Sequence, residues 1–138
     1  MTPSEFLKSV DQLENKDFEK LTERLNDPVS LRLMHACIGI GTEAGEVQDL
    51  FKKRIMYGKN VQVSDFVDEL GDLLWYIGVA CNTLGISFEE VMEKNYKKLS
   101  VRYGKTLTYT DEAAINKNKE AEKTAQNEED YSKKSGAW

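Results

Sequence analysis

The sequence predicts an all-α fold, a four-helix bundle with a short C-terminal helix and tail, and three observations predict it. Only two prolines occur in 138 residues, and each directly follows a residue suited to cap a helix, in Thr2-Pro3 and Asp27-Pro28. Runs with the two-residue alternation of a half-buried strand are almost absent, whereas apolar residues recur at three- and four-residue spacings. Gly58, Gly85 and Gly104 stand where those periodic runs stop, as left-handed C-terminal residues do.

The first helix starts at Thr2-Pro3-Ser4-Glu5, a capping box with proline at the first helical position. Phe6, Val10, Leu13, Leu21 and Leu25 form one apolar stripe with Phe18 off it, so a single amphipathic helix is expected to end near Asn26. Asp27-Pro28 opens a second helix that runs to Tyr57, where Gly58 stops it; at 1.5 Å per residue it spans roughly 45 Å. After the loop 58–63, Ser64 is expected to cap a third helix with Asp65 and Asp68 in its first turn. Leu70, Leu73, Leu74, Trp75, Ile77, Val79, Ala80 and Leu84 surround most of its circumference, so it is expected to be the central and most buried helix. Gly85 ends it.

Ser87-Phe88-Glu89-Glu90 is a second capping box, flanked by Ile86 and Val91 as a hydrophobic staple, and the fourth helix runs to Tyr103 before Gly104. Residues 105–110 read as extended or turn-like, and Thr110-Asp111-Glu112 caps a short fifth helix through Ala114 and Glu122. From Lys123 onward only Tyr131 and Trp138 are large and apolar. Residues 1–122 are therefore expected to form the domain and 123–138 a polar tail, mobile unless a partner chain orders it.

A chain of 15.7 kDa fits one compact domain. With 40% hydrophobic and 31% charged residues the composition is that of a soluble globular protein, and no apolar run approaches the ~20 residues of a membrane helix. The first residues turn acidic at once, unlike a secretory signal, so a cytoplasmic location is expected. Cys37 and Cys81 sit among apolar residues and read as reduced core thiols, and a single histidine argues against a zinc site. A net charge of -5 works against binding a nucleic-acid polymer.

Two acidic doublets interrupt the apolar helices: Glu43-Ala44-Gly45-Glu46 on the second and Glu69-Leu70-Gly71-Asp72 on the third. The i, i+3 spacing places both carboxylates of a doublet on one helix face. A lone doublet at the edge of an amphipathic stripe points to water. Two doublets of the same spacing, on consecutive helices joined by a turn, are brought opposite each other by antiparallel packing. Converging carboxylates raise one another's pKa unless a cation sits among them, and an oxygen-only donor set suits Mg²⁺ or Mn²⁺.

On the fourth helix Asn95, Lys98 and Arg102 share a face. Positive charge beside a carboxylate-bound metal is what a polyphosphate needs; a solvated lysine face paired with Glu89, Glu90 and Glu93 fits the same spacing. Lys52, Lys53 and Arg54, about two turns past Glu46, carry the same two readings. His35 lies on the side of Glu46 but three turns away, suited either to the distal part of a ligand or to a core histidine. Tyr76, one turn after Asp72, and Trp75 are placed either to stack on a base or to fill the core.

At these residues the sequence resembles the MazG-like all-α nucleotide pyrophosphohydrolases, a family marked by a Glu-x-x-Glu doublet, a spacer, and a Glu-x-x-Asp doublet. Here 22 residues separate Glu46 from Glu69, and His35-Ala36 precedes the first doublet as in a common family variant. Asn95-Tyr96-Lys97-Lys98-Leu99 with Arg102-Tyr103-Gly104 is similar to the family's fourth-helix phosphate-binding pattern, and 108–116 to a segment of short, phage-type members. The likeness covers roughly 31–122.

The resemblance implies hydrolysis of a (deoxy)nucleoside triphosphate to the monophosphate and pyrophosphate, with Mg²⁺ (or Mn²⁺) held by Glu43, Glu46, Glu69 and Asp72. It also implies phosphate contacts from Asn95, Lys98 and Arg102, a sugar or base contact from Tyr76, and a homodimer or homotetramer with sites near subunit contacts. For a phage-encoded chain the location is the host cytoplasm. A dUTPase-like or phosphoribosyl-ATP pyrophosphatase activity, and a metal-stabilised helical interaction module without turnover, are the alternatives.

Overall fold

The computed structural model describes residues 1–126, and every regular element among them is a helix. Two helices precede the long ones, α1 (Pro3–Leu13) and α2 (Phe18–Leu25). The expected single helix to Asn26 is thus broken. The Asp17 carboxylate accepts from the Lys20 N–H at 3.1 Å, and the Asn15 side chain accepts from the Asp17 N–H at 3.1 Å. These short polar side chains take backbone donors that a continuous helix needs, and Asp17 becomes the cap of a new one.

The second long element is α3 (Pro28–Tyr57), 30 residues with no interruption. The Asp27 carboxylate accepts from the N–H groups of Val29 and Ser30, both at 2.9 Å, and at the far end Gly58 turns left-handed with φ 61°. Next comes α4 (Val63–Leu84), which starts one residue before Ser64: the Gln62 N–H donates to Asp65 at 2.8 Å, so the box closes around Gln62 instead. A left-handed Gly85 stops α4, and Ser87 with Glu90 forms the expected reciprocal cap of α5 (Phe88–Tyr103). Beyond it lie α6 (Asp111–Ile115) and α7 (Lys119–Gln126) in place of one fifth helix. Thr110 caps α6 as expected, and Asn118 accepts from the Ala121 N–H at 3.0 Å to start α7. Helix α7 carries regular structure past the expected boundary at 122; Tyr131 and Trp138 lie outside the described residues.

The chain folds as two associations. An α3–α4 hairpin packs along its length with α2 touching α3, and α5 packs against α7 and α6. Among the described residues, Ala36, Leu50, Val61 and Cys81 are the buried hydrophobic ones. The expectation that α4 is the most buried helix is overturned: Cys81 is its one buried residue, and Leu74 and Trp75 are exposed. Helix α4 packs along its length against α3, with Phe88 of α5 against Gly78 near its end, so the apolar residues around its circumference are not all covered. Cys37, expected in the core, is exposed, and both thiols are free. No described helix is long and apolar enough to cross a membrane.

Candidate functional site

The doublets occupy the middle of α3 and the first half of α4, and the hairpin brings them to one level. One carboxylate oxygen each from Glu43, Glu69 and Asp72 lie within 4.8 Å of one another. Glu43 and Glu69 are half-buried while Asp72 is exposed, so the trio sits at the edge of the seam, open on one side. Thr42 steadies Glu43: its hydroxyl donates to the Gly39 carbonyl at 2.9 Å and lies 3.2 Å from a Glu43 carboxylate oxygen.

Burial, and then the negative charges of Glu46, Glu43 and Asp72, push the Glu69 carboxyl above its ordinary pKa, with Lys53 opposing them. Oxygens around one small divalent cation stand roughly 3 to 4 Å apart for bonds near 2.1 Å. A trio within 4.8 Å fits such an ion after a side-chain adjustment of about half an ångström. Glu46 is exposed and outside the trio, although its charge acts on Glu69 and on Lys53.

Lys53 is ion-paired to Asp49 at 2.8 Å, and Lys52 pairs with the same carboxylate. The hydrogen bonds from Lys52 and then Lys53 hold Asp49 down to about 2. Asp49 was not singled out by the sequence reading, although its i+3 and i+4 spacing to two lysines is a local signal that a scan for helix ion pairs finds.

One turn from the trio an aromatic cluster crosses the same seam. The Tyr76 ring lies directly against Gly39: a Cβ there would meet ring atoms at 2.2 to 2.4 Å. The His35 ring stands edge-on to Tyr76 at 5.5 Å and the Trp75 ring at 4.9 Å. His35 is exposed, which removes the core-histidine reading.

The residues on α5 are not gathered with the carboxylates, because α5 makes no extended contact with α3 or α4. Arg102 is engaged elsewhere: its Nε and a terminal nitrogen donate to the two Glu122 carboxylate oxygens at 2.8 and 2.7 Å, with the side chains 16% and 8% exposed. The pair raises the Arg102 pKa and lowers that of Glu122. Nothing local in the sequence links residues twenty apart across two turns, so this fork–fork pair was not legible.

The family model for the MazG nucleotide pyrophosphohydrolase domain matches residues 37–106, half of the chain, from within α3 through the end of α5. The chain belongs to the MazG family. Both doublets and the α5 residues lie inside the matched stretch, whereas His35, α1, α2, α6 and α7 lie outside it. The gene 37 protein of Mycobacterium phage L5 is 32% identical over 75 residues, covering 51% of this chain and 65% of that protein. The match thus leaves about a third of that relative's length without a counterpart. No solved structure matches the chain.

Proposed function

We propose that this MazG-family chain hydrolyses a (deoxy)nucleoside triphosphate between its α and β phosphates, releasing the monophosphate and pyrophosphate, with a divalent cation as cofactor. The observation that carries the reading is the carboxylate trio Glu43, Glu69 and Asp72 gathered across the α3–α4 seam inside the matched family domain.

Glu43, Glu69 and Asp72 are the residues that would hold the ion, Mg²⁺ by preference and Mn²⁺ as a substitute, since the donors are all carboxylate oxygens. When bound, the cation supplies charge that polarises the phosphoryl group and acidifies water. The chain's own groups do the rest. Glu46, outside the trio, is the carboxylate left to accept the proton of the attacking water. Lys53, next to the acidic set, neutralises phosphate charge; Tyr76 with His35, one turn along the seam, offers an aromatic wall to the sugar and base. Asn95 and Lys98 approach the phosphates from α5. Because α5 makes no extended contact with α3 or α4 beyond the Phe88 ring against Gly78, they serve a site near a subunit contact in a homodimer or homotetramer. Arg102, already held by Glu122, contributes by fixing the end of α5.

A pyrophosphate-release screen of the full chain with Mg²⁺ against canonical and modified (d)NTPs, with products resolved by chromatography, tests the reading. Monophosphate and pyrophosphate from a preferred nucleotide support it. Metal-induced thermal stabilisation with no turnover of any nucleotide or of phosphoribosyl-ATP replaces it with the non-catalytic helical module.

A further inference from the structure

One half-buried carboxylate on α3 stands beside the acidic doublets without belonging to them. Glu43, Glu46 and Asp49 follow one another at three-residue steps, so each lies about one turn beyond the last. The first belongs to the trio and the second is left to take a proton. The third is engaged by two cations: one Asp49 oxygen accepts from the Lys53 ammonium at 2.8 Å and the other from Lys52.

The two lysines are not equivalent. Lys52 is exposed, whereas Lys53 is half-buried and its charge opposes the rise in the Glu69 pKa. Lys53 follows Glu46 by two turns and about 20° of rotation, and its Cβ tilts back toward the helix N-terminus, so the side chain leads toward the doublets. Asp49 stands about 40° to the side of Lys53 and one turn past Glu46, where it catches the ammonium before it reaches Glu46. The backbone of Lys53 is fixed as well, since its carbonyl accepts from the Lys59 N–H at 3.1 Å where α3 ends. The remaining freedom is in the side chain, and Asp49 holds it.

A cation at the trio leaves the more distant phosphates of a polyphosphate to be neutralised by positive side chains farther along the seam. An ammonium on a flexible four-carbon stem does not stay in such a place by itself. Glu46 attracts Lys53, and without an anchor the charge would be taken up by the acids that the metal needs. Stability does not account for the arrangement, because an ion pair on a partly exposed helix face contributes little to folding.

We propose that Asp49 is a positioning residue for polyphosphate: it holds the Lys53 ammonium one turn past Glu46, clear of the metal-binding carboxylates and facing the phosphates beyond them. The inference rests on the proposed function, in which Lys53 neutralises phosphate charge, and adds the residue that sets where Lys53 stands. Its consequence is opposite in sign to that of net charge. Removing an anion beside a polyanion site should tighten polyphosphate binding on Coulombic grounds, whereas removing an anchor should loosen it.

Binding of inorganic tripolyphosphate to the full chain with Mg²⁺ is measured by titration calorimetry in the native protein, Asp49→Asn, Lys53→Gln and the double variant, with circular dichroism to verify helix content. The KM for the nucleotide identified by the pyrophosphate-release screen is the second readout. Asp49→Asn is expected to weaken tripolyphosphate binding and raise KM by about three- to tenfold, the scale of one partly exposed charge-assisted hydrogen bond, with kcat little changed. In the Lys53→Gln background the same substitution should do nothing further, since no ammonium is left to hold. Asp49→Glu should recover most of the affinity, and Lys52→Gln should not abolish the effect of Asp49→Asn. Tighter or unchanged binding in Asp49→Asn, or an equal loss with and without Lys53, overturns the positioning role and leaves the proposed function standing. A native chain that neither binds tripolyphosphate nor hydrolyses any nucleotide overturns the proposed function and this inference with it.

Discussion

The α3–α4 hairpin and the α5–α7 arm are built by different means. The hairpin is held by apolar side chains and close backbone approach, with Tyr76 seated on Gly39, and its polar groups gather at the edge of the seam. The arm is fastened by a shielded ion pair, Arg102 to Glu122, at the junction of α5 and α7. In the hairpin the charges of Glu46, Glu43 and Asp72 repel that of Glu69, with Lys53 opposing them, whereas in the arm Arg102 and Glu122 satisfy each other within the chain. Unsatisfied like charge marks where a ligand belongs; satisfied opposite charge marks where the protein is tying itself together.

Removing a carboxylate of the trio separates the two regions most sharply. Glu69→Gln and Asp72→Asn should each lower kcat on the order of 10³-fold, since metal-assisted charge stabilisation is worth several kcal/mol, with the helical circular dichroism signal unchanged. Retained activity in both variants removes the metal-site assignment. Glu122→Gln, in the arm, should leave kcat within about twofold.

The next effect is on stability. Gly39→Ala drives a methyl group into the Tyr76 ring and should destabilise the chain by about 1 to 3 kcal/mol, as overpacking does. Urea denaturation reads this, and adding Tyr76→Leu should restore part of the loss. An unaltered midpoint in Gly39→Ala would mean that the ring is not seated there.

The arm should respond to acid. Glu122 has its pKa lowered by Arg102, so its contribution is present above the ordinary carboxylate value and is lost as pH falls through the depressed folded value; Arg102, raised further, stays charged throughout. Amide exchange in α7 should therefore speed up below about pH 4.5, and Glu122→Gln should produce the same loosening at neutral pH. Exchange in α3 that accelerates in parallel would show that arm and hairpin open as one unit. The smallest effect is expected from Lys98→Ala, a several-fold higher KM with kcat held; an unchanged KM returns Lys98 to the solvated surface.

How much the sequence disclosed follows the same division. Features set by neighbours in the chain were legible: the caps at Asp27, Ser87 and Thr110, the glycine stops, the i, i+3 doublets and the all-helical fold. Breaks set by competing side chains, at Asn15–Asp17 and Asn116–Asn118, were hidden: in the first the apolar stripe resumes beyond the break, and in the second no proline or glycine marks it. Contacts between distant helices were not legible: the pairing of Glu122 with Arg102, and which carboxylate oxygens, those of Glu43, Glu69 and Asp72, come within 4.8 Å of one another. The burial of α4 was misread because an apolar circumference does not say which of its faces a neighbouring helix covers.

Titration of the full chain with Mn²⁺, followed by the loss of its free-ion paramagnetic resonance signal, tests the central claim most directly, since it asks whether the hairpin gathers a cation before any chemistry. Saturable binding that is lost in Glu43→Gln, Glu69→Gln and Asp72→Asn and kept in Glu46→Gln is the predicted result. Binding that survives in the three trio variants, or that depends on Glu46 alone, would contradict it.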